Sequence, residues 1–417
     1  MKPPPLKNDC FALPPGIDWL PVDDALAHLR SVLRPVVGSD LLGIDQAVGR
    51  FLAWDAVAKR SNPPSANSAV DGYGFAGPAP DGLCSLPLVD GRAAAGAAFD
   101  STVPKGSAIR ILTGAILPDG VDTVVLEEDV SVNGDEVAFH GPLKLGANAR
   151  RAGEDVVVGD VVLRKGAHLR PQDVAILAAT GVHDIMAFDV LKAGVLSTGD
   201  ELVALGMGAS PGQIFDANGP MLRNMFTSMG ILPRDLGRAK DDRDAIRGLL
   251  DEASQHLDAI IVSGGASAGD EDHVSALLAE NGSRGIWRVA MKPGRPMGFG
   301  LWNGVPVFGL PGNPVAAFVC ALVFVLPALR ILAGGGWHQP TGFLVPAAFE
   351  KRKKAGRREY LRARMNNDGA VEVFKSEGSG RISGLSWADG LVELDDGARD
   401  VGVGDLVRYL PFSQFGV

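Results

Sequence analysis

Three observations predict an α/β-plus-β multidomain fold. The 417 residues exceed what one core organises, at roughly 100–200 residues per domain. Residues 188–336 alternate strand-like and helix-like runs, the mark of helices covering both faces of a largely parallel sheet. On either side, residues 56–150 and 339–417 break into short apolar runs punctuated by Gly, Pro and Asp, which read as strands and turns.

Taken in order, the first 15 or so residues of the opening MKPPPLKNDCFALPPGIDWLP read as a loose arm. It has no apolar core of signal-peptide length, and its prolines interrupt any targeting helix. In PVDDALAHLRSVLRPVV the apolar positions Val22, Leu26, Leu29 and Leu33 recur at helical spacing, so a first amphipathic helix is expected. PQDVAILAATG opens on proline and closes at Gly181, as helix punctuation predicts. Beyond Phe188 the runs DVLKAGVLS, ILPRDLGRA, DAIIVSGG, IWRVAM and VPVFGLPG read as strands. GPMLRNMFTSMG, RDAIRGLLDEASQ, EDHVSALLAENG and VAAFVCALVFVLPALRIL read as helices between them. The expected organisation is a mixed N-terminal domain from 20–55 and 151–187, a mostly β domain at 56–150 inserted in it, the α/β domain at 188–336 and a small β domain at 337–417.

Composition narrows the function. Forty Lys and Arg against 49 Asp and Glu leave a net charge of −9, which opposes a general affinity for nucleic acid or anionic lipid. Cys10, Cys84 and Cys320 are far apart and form no CxxC, so a thiolate cluster or disulfide framework is not supported and a reducing cytoplasm is expected. The apolar run from Val315 to Leu329 is shorter than the ~20 residues of a membrane span and reads as a buried helix.

Six segments could carry chemistry. SANSAVDGYGF holds Ser68, Asp71 and Gly72 beside Tyr73 and Phe75, either as an Asp-Gly turn with locally packed rings or with Asp71 as a polar contact in a cleft. RILTGAILPDGVDTVVLEED adds a Thr-Gly turn at Thr113 and an acidic end. VLSTGDEL runs a strand into Ser197, Thr198, Gly199, Asp200 and Glu201, with Asp216 and Asn218 of IFDAN following, as a phosphate–magnesium site requires and as helix capping also would. In IIVSGGASAGDEDHV, Gly264, Gly265 and Gly269 permit close approach to an anion and Ser263 and Ser267 supply hydroxyls. Asp270, Glu271 and Asp272 would repel a naked phosphate unless they only cap a helix or a divalent cation intervenes. His273 reads as solvated or as a metal or acid–base group. The loops VAMKPGRPMGFG and GLPGNPVAAF place Lys292, Arg295, Pro311 and Pro314 where stiffened turns and cations suit an oxyanion, or simply face solvent. IIVSGGASAGDEDHV itself is neither a GxxxxGK[ST] nor a GxGxxG loop, which weighs against ATPase and dinucleotide-binding readings. The basic run EKRKKAGRREYLRARM reads as a solvated face, since nucleic-acid binding conflicts with the overall acidity.

Together SAVDGYGF, RILTGAILPDGVDTVV, STGDEL, SGGASAGDEDHV, KPGRP and GLPGNPVAAF resemble, in order, segments of the molybdopterin molybdenumtransferase family, the MoeA-like proteins and the gephyrin C-terminal domain. The resemblance runs from about residue 20 to the C-terminus. It implies insertion of molybdate into adenylylated molybdopterin with Mg2+-assisted release of AMP, by an elongated homodimer whose cleft combines the α/β domain of one subunit with parts of the other. By matched position it implies Asp71, Thr113, Glu201, Asp272 and Lys292 as catalytic residues, with Glu201, Asp242 and Asp272 metal-linked. It places Asp155, Ser263, Gly264, Gly265, Ser267, Gly269, Arg295, Pro311, Pro314, Arg358 and Ser379 around the substrates, Arg362 and Ser383 being rivals of Arg358 and Ser379. A molybdopterin adenylyltransferase and molybdoenzymes or cofactor carriers are the implied partners.

Val70 replaces the usual Met, and Ala316 stands where the family often has Ser, which removes one possible oxyanion contact. Two alternatives are a non-catalytic scaffold on the same fold and a competence-damage-type nucleotide amidase or pyrophosphatase. The latter is not expected to carry SAVDGYGF or GLPGNPVAAF.

Overall fold

The computed structural model describes residues 19–264, 273–280, 286–294 and 296–417. It divides into two compact units. The expected N-terminal arm lies outside the described residues.

One unit comprises residues 41–48 and 52–187. Its six-stranded sheet includes Gly72–Phe75, Ala79–Ala93, Ala108–Ile111, Thr123–Leu126 and Glu136–Leu143. Glycine at position 72 is required by packing: a Cβ there would overlap the carbonyl oxygen of Val125 on the neighbouring strand. Tyr73, Phe75, Val125, Val137 and Phe139 bury one face of this sheet. A second core in the same unit gathers Leu52, Leu169, Leu177, Ile185 and Ala187 around the helix Pro171–Ala179.

The other unit comprises residues 1–40, 49–51 and 188–417. Its central sheet is built from β1 (Lys192–Thr198), β2 (Leu232–Ala239), β3 (Ala259–Ser263), β4 (Ile286–Arg288), β5 (Pro296–Trp302) and β6 (Val305–Leu310), in the spatial order β2-β1-β3-β6-β5-β4. The four strands β2, β1, β3 and β6 are parallel, while β5 and β4 add an antiparallel edge. β1 and β3 are buried along nearly their whole length, as strands covered on both faces must be.

Helices α1 (Asn218–Ser228), α2 (Arg243–Ala253), α3 (His273–Glu280) and α4 (Pro314–Leu332) connect and cover these strands. Ile246 and Leu250 of α2 pack with Val274, Leu277 and Leu278 of α3 over Ile260 and Val262 of β3. That spacing of three and four residues gives α2 its apolar stripe. α4 is the one described helix long and apolar enough to cross a membrane, and 89% of its apolar window is buried inside the fold. Its middle, Ala321–Val325, widens to a π-helical turn.

A second sheet in this unit orders Met291–Lys292, Arg358–Met365, Gly390–Leu394, Leu406–Pro411 and Phe343–Pro346. Its core is Leu361, Ala363, Val392, Leu394, Val407 and Tyr409. Lys292 pairs with Glu359 in parallel register, so the segment leaving the α/β sheet becomes the edge of the C-terminal sheet.

Candidate active site

In open α/β sheets the carboxyl ends of the parallel strands form the binding edge. Here that edge is made by the loops after β1, β2, β3 and β6. β1 ends in Thr198, and Gly199 follows with φ +148°. A Cβ at Gly199 would collide with the Glu201 carboxylate, which folds back over it. β3 ends in Ser263 and Gly264, the latter with φ +99°, where a Cβ would stand 2.5 Å from the Thr198 carbonyl oxygen and 2.6 Å from its Oγ1. The two strand ends therefore approach more closely than any side chain at 264 allows.

Five buried polar residues organise this edge. Ser197 Oγ donates to Asp216 Oδ2 at 2.8 Å, and the Gly219 amide donates to Asp216 Oδ1 at 2.9 Å. Asn218 Nδ2 donates both to Ser263 Oγ and to the Gly312 carbonyl oxygen, each at 2.8 Å, tying β3 to the loop after β6. Thr198 Oγ1 and Asn218 Oδ1 are buried with no hydrogen-bond partner among the described residues. Thr198 is 5% exposed and Asn218 7%. Leaving such atoms unpaired is costly, so they mark a place where a ligand can complete the hydrogen bonding. Thr198, Asp216 and Asn218, which the VLSTGDEL and IFDAN segments offered from sequence but which are not among the residues the resemblance implies, are thus brought together at this edge.

The acidic residues occupy adjoining loops. Glu201 follows β1 and Asp242 follows its parallel neighbour β2, and the loops are joined by the Gly199 amide donating to Ala239 O at 3.2 Å and the Asp241 amide donating to Asp200 Oδ1 at 3.2 Å. Asp242 is also the N-cap of α2, its Oδ1 accepting from the Ala245 amide at 2.8 Å. His273 Nε2 lies 3.1 Å from Asp241 O. Among the described residues no three His, Cys, Asp or Glu side chains converge as a metal cage. Magnesium does not need one, since it is commonly held by one or two carboxylates together with phosphate oxygens and water. The hard oxygen donors of Glu201 and Asp242 fit that pattern. Gly265, Ser267, Gly269, Asp272 and Arg295 lie outside the described residues.

Beyond the α/β edge, Pro311 and Gly312 lead into α4, whose first turn meets the C-terminal sheet. The Val315 amide donates to the Ser379 carbonyl oxygen at 3.1 Å, which brings the 376–381 loop to the helix N-terminus beside Pro314. Gly294, at φ +91°, packs on the same helix, where a Cβ would lie 2.6 Å from Cys320 Sγ and 3.7 Å from the Ala316 Cβ. Ala316 is buried there, and burial pushes the Cys320 thiol up to about 12. A cavity of about 260 Å3 opens between these segments, with Lys292, Pro293, Val315, Arg362, Ser376 and Glu377 in its wall.

The basic run at 350–365 is largely turned inward rather than forming a solvated face. Lys351 pairs with Glu359 at 3.0 Å, and Lys353 donates to Gly397 O at 2.7 Å. Arg358 pairs with Asp23 at 2.8 Å and with Asp396 at 3.1 Å; its hydrogen bonds to Asp23 hold it firmly protonated. Arg362 lines the cavity and donates to the carbonyl oxygens of Arg381, Ser376 and Gly378. Of the two arginines weighed from sequence, the structure places Arg362 in the cavity wall beside Lys292 and Arg358 in an ion network with Asp23. Ser379 is on the loop that Arg362 holds, and Ser383 begins the short helix Ser383–Trp387.

The remaining expected residues belong to the other unit. Asp71 and Thr113 are brought together: Asp71 Oδ1 accepts from the Thr113 amide at 2.6 Å and from Thr113 Oγ1 at 2.7 Å. These bonds, the hydroxyl's first and the amide's second, hold the Asp71 carboxyl below its ordinary value of 3.8. Gly114 N donates to Ser68 O at 2.8 Å, so the two sequence segments are joined by backbone as well. Asp155 is held elsewhere in this unit, accepting from Asn62 Nδ2 at 2.9 Å. Arg110 pairs with Glu127, the first residue of the acidic end noted in that segment, at 2.8 Å and donates to Tyr73 Oη.

Comparison with known proteins agrees with this architecture. Residues 20–181 match the family model of the MoeA N-terminal region, domains I and II; residues 194–331 match that of a "probable molybdopterin binding domain"; residues 345–412 match the MoeA C-terminal region, domain IV. Fold and site thus define a multidomain protein built around an α/β domain of the molybdopterin-binding type. The chain is 35% identical over 402 residues to the molybdopterin molybdenumtransferase of Haemophilus influenzae, covering 95% of this chain and 99% of that one. It is 32% identical to molybdopterin molybdenumtransferase 2 of Mycobacterium tuberculosis, covering 91% and 95% respectively. The crystal structure of the molybdopterin biosynthesis moeA protein from Pyrococcus horikoshii superposes with a TM-score of 0.82 at 28% identity, over 94% of this chain and all of that one. The chain belongs to the molybdopterin molybdenumtransferase family.

Proposed function

We propose that this protein inserts molybdate into the dithiolene of adenylylated molybdopterin and releases AMP. The observation that supports this most is the polar edge of the α/β sheet. Thr198 Oγ1 and Asn218 Oδ1 are buried and unpartnered beside Gly264, and that edge runs through Gly312 and Ser379 to a cavity walled by Lys292 and Arg362. A long substrate with a pterin at one end and a nucleotide at the other suits such a continuous edge. The sulfur ligands for the metal come from the substrate, so no catalytic cysteine is needed; the buried Cys320, its thiol held protonated, agrees with this.

Each group then has a task. The backbone at Gly264 and the Asn218 and Thr198 oxygens bind and orient substrate donors. Glu201 and Asp242 would hold Mg2+, which when bound offsets the charge developing on the phosphate oxygens. Lys292 and Arg362 draw in the oxyanion, with Arg295 of the KPGRP segment as a further cation. Asp71, ionised and aimed by Thr113, orients or accepts a proton from the substrate.

We infer a homodimer in which Asp71 of one subunit serves the α/β edge of the other. This follows the family resemblance and accounts for a reactive-looking carboxylate in a unit separate from the sheet. A cytoplasmic location and exchange of substrate and product with a molybdopterin adenylyltransferase and with molybdoenzymes belong to the same reading. The test is reconstitution: purified chain, adenylylated molybdopterin, molybdate and Mg2+ should yield a cofactor that activates a molybdenum-free molybdoenzyme. Failure of an intact protein to do so would favour a non-catalytic scaffold.

A further inference from the structure

The wall of the 260 Å3 cavity contains an anion that belongs to the protein. The Glu377 carboxylate bonds Lys292 through one oxygen and Lys351 through the other. Lys351 also pairs with Glu359 at 3.0 Å, and Lys292 lies 3.9 Å from Glu359. Two ammonium groups thus face two carboxylates, and the cluster is neutral.

The two carboxylates are not equivalent. Glu359 is on the strand Arg358–Met365, its side chain only 8% exposed, and the sheet fixes it. The Glu377 side chain is 45% exposed and stands on an irregular loop. Arg362 grips the backbone of that loop at Ser376, Gly378 and Arg381, so the Glu377 side chain can swing out while the main chain stays in place. Once it leaves, Lys292 and Lys351 face a single carboxylate and the seat carries a net positive charge inside a walled cavity. Burial pushes the Glu377 carboxyl up, but the bonds from Lys292 and Lys351 outweigh it and keep the group ionised.

We propose that Lys292 and Lys351 form an oxyanion seat whose resident anion is the Glu377 carboxylate, and that a tetrahedral dianion binds by displacing it. Glu377 then sets the affinity threshold of the seat: weak or singly charged anions do not compete with a tethered carboxylate, whereas a dianion does. The identity of that dianion as molybdate rests on the function proposed above; the seat itself does not.

The experiment is equilibrium dialysis of the full chain against sodium molybdate, and separately against sodium sulfate, at fixed ionic strength. Glu377→Gln should tighten molybdate binding by about threefold to tenfold, since the one carboxylate that competes for both lysines is neutralised. Adding Lys351→Met to Glu377→Gln should abolish the gain. Glu377→Asp, which keeps the charge but shortens its reach, should fall between parent and Gln, and it serves if the Gln variant melts early. Unchanged or weaker binding in folded Gln and Asp variants would overturn the proposal, by showing Glu377 to be a fixed clamp. Tighter oxyanion binding without any AMP release would instead sustain the seat and count against the proposed reaction. Normal AMP release with no change in binding would do the reverse.

Discussion

Asp71 and Thr113, forty-two positions apart in sequence, share one carboxylate oxygen, which accepts both the amide and the hydroxyl of the threonine. Both residues are exposed, so this aimed carboxylate contributes little to a core and is free to act on something outside its own unit. Because its folded-state pKa is lowered, the Asp71–Thr113 tie is at full strength above the ordinary value of 3.8. It is lost as pH falls through the lower folded value. Carbon-detected NMR of Asp71 should show a midpoint below 3.8 that moves back up in Thr113→Val. Asp71→Asn should lower turnover on the order of tenfold or more, with the melting temperature essentially that of the parent.

Thr198→Val tests whether the buried polar edge is kept for a ligand. Its hydroxyl has no partner among the described residues, so an isosteric apolar side chain should leave stability unchanged or raise it by about 1 kcal/mol. Substrate affinity should fall. Loss of stability in thermal denaturation, with unchanged affinity, would assign the hydroxyl to the fold.

Asp242 has two candidate roles, and two substitutions separate them. As the N-cap of α2 it should cost about 1 kcal/mol when replaced by Ala and a few tenths when replaced by Asn. If it also holds magnesium, Asp242→Asn should keep its stability yet require a higher Mg2+ concentration for half-maximal turnover. A normal magnesium response in Asp242→Asn would leave capping as its only task.

Mixed dimers test whether subunits share a site. Asp71→Asn and Glu201→Gln should each be weakly active alone. If each site takes Asp71 from one subunit and Glu201 from the other, a heterodimer has one site with both changes and one with neither, and activity returns. If each subunit is self-sufficient, every site carries one defect and mixing restores nothing.

Much of the α/β unit is readable from the sequence because its signals are strong and local. DVLKAGVLS, DAIIVSGG and VPVFGLPG are apolar runs closed by glycine, and they appear as β1, β3 and β6. The apolar spacing of Val22, Leu26, Leu29 and Leu33 likewise predicts a helix, which spans Val22–Val32 with Leu33 as its C-cap. What escapes is structure that runs against local preference. The sequence reads as a Pro-Gly loop over 289–300, VAMKPGRPMGFG, yet its last five residues belong to β5, paired on both sides. Its glycines permit close strand approach, with Gly298 opposite Gly309. The strand Ala79–Ala93 contains Pro80, Gly82, Pro87 and Gly91 and was hidden for the same reason; register shifts accommodate them.

The site shows the same division. Motifs named loops correctly as places where polar groups gather at strand ends, but not which groups are tied. Asp216 and Asn218 stand out in IFDAN, but that they are tied to Ser197 and Ser263 on neighbouring strands is visible only in the fold. The inward turn of the basic run depends on acids far along the chain, such as Asp23 for Arg358, and no spacing rule reveals it.

The most direct test of the account is the stoichiometry of nucleotide release. Given adenylylated molybdopterin, Mg2+ and limiting molybdate, the protein should release one AMP for each molybdenum atom incorporated, and little AMP when molybdate is withheld. AMP released at the same rate without molybdate, or molybdenum incorporated without AMP, would contradict it.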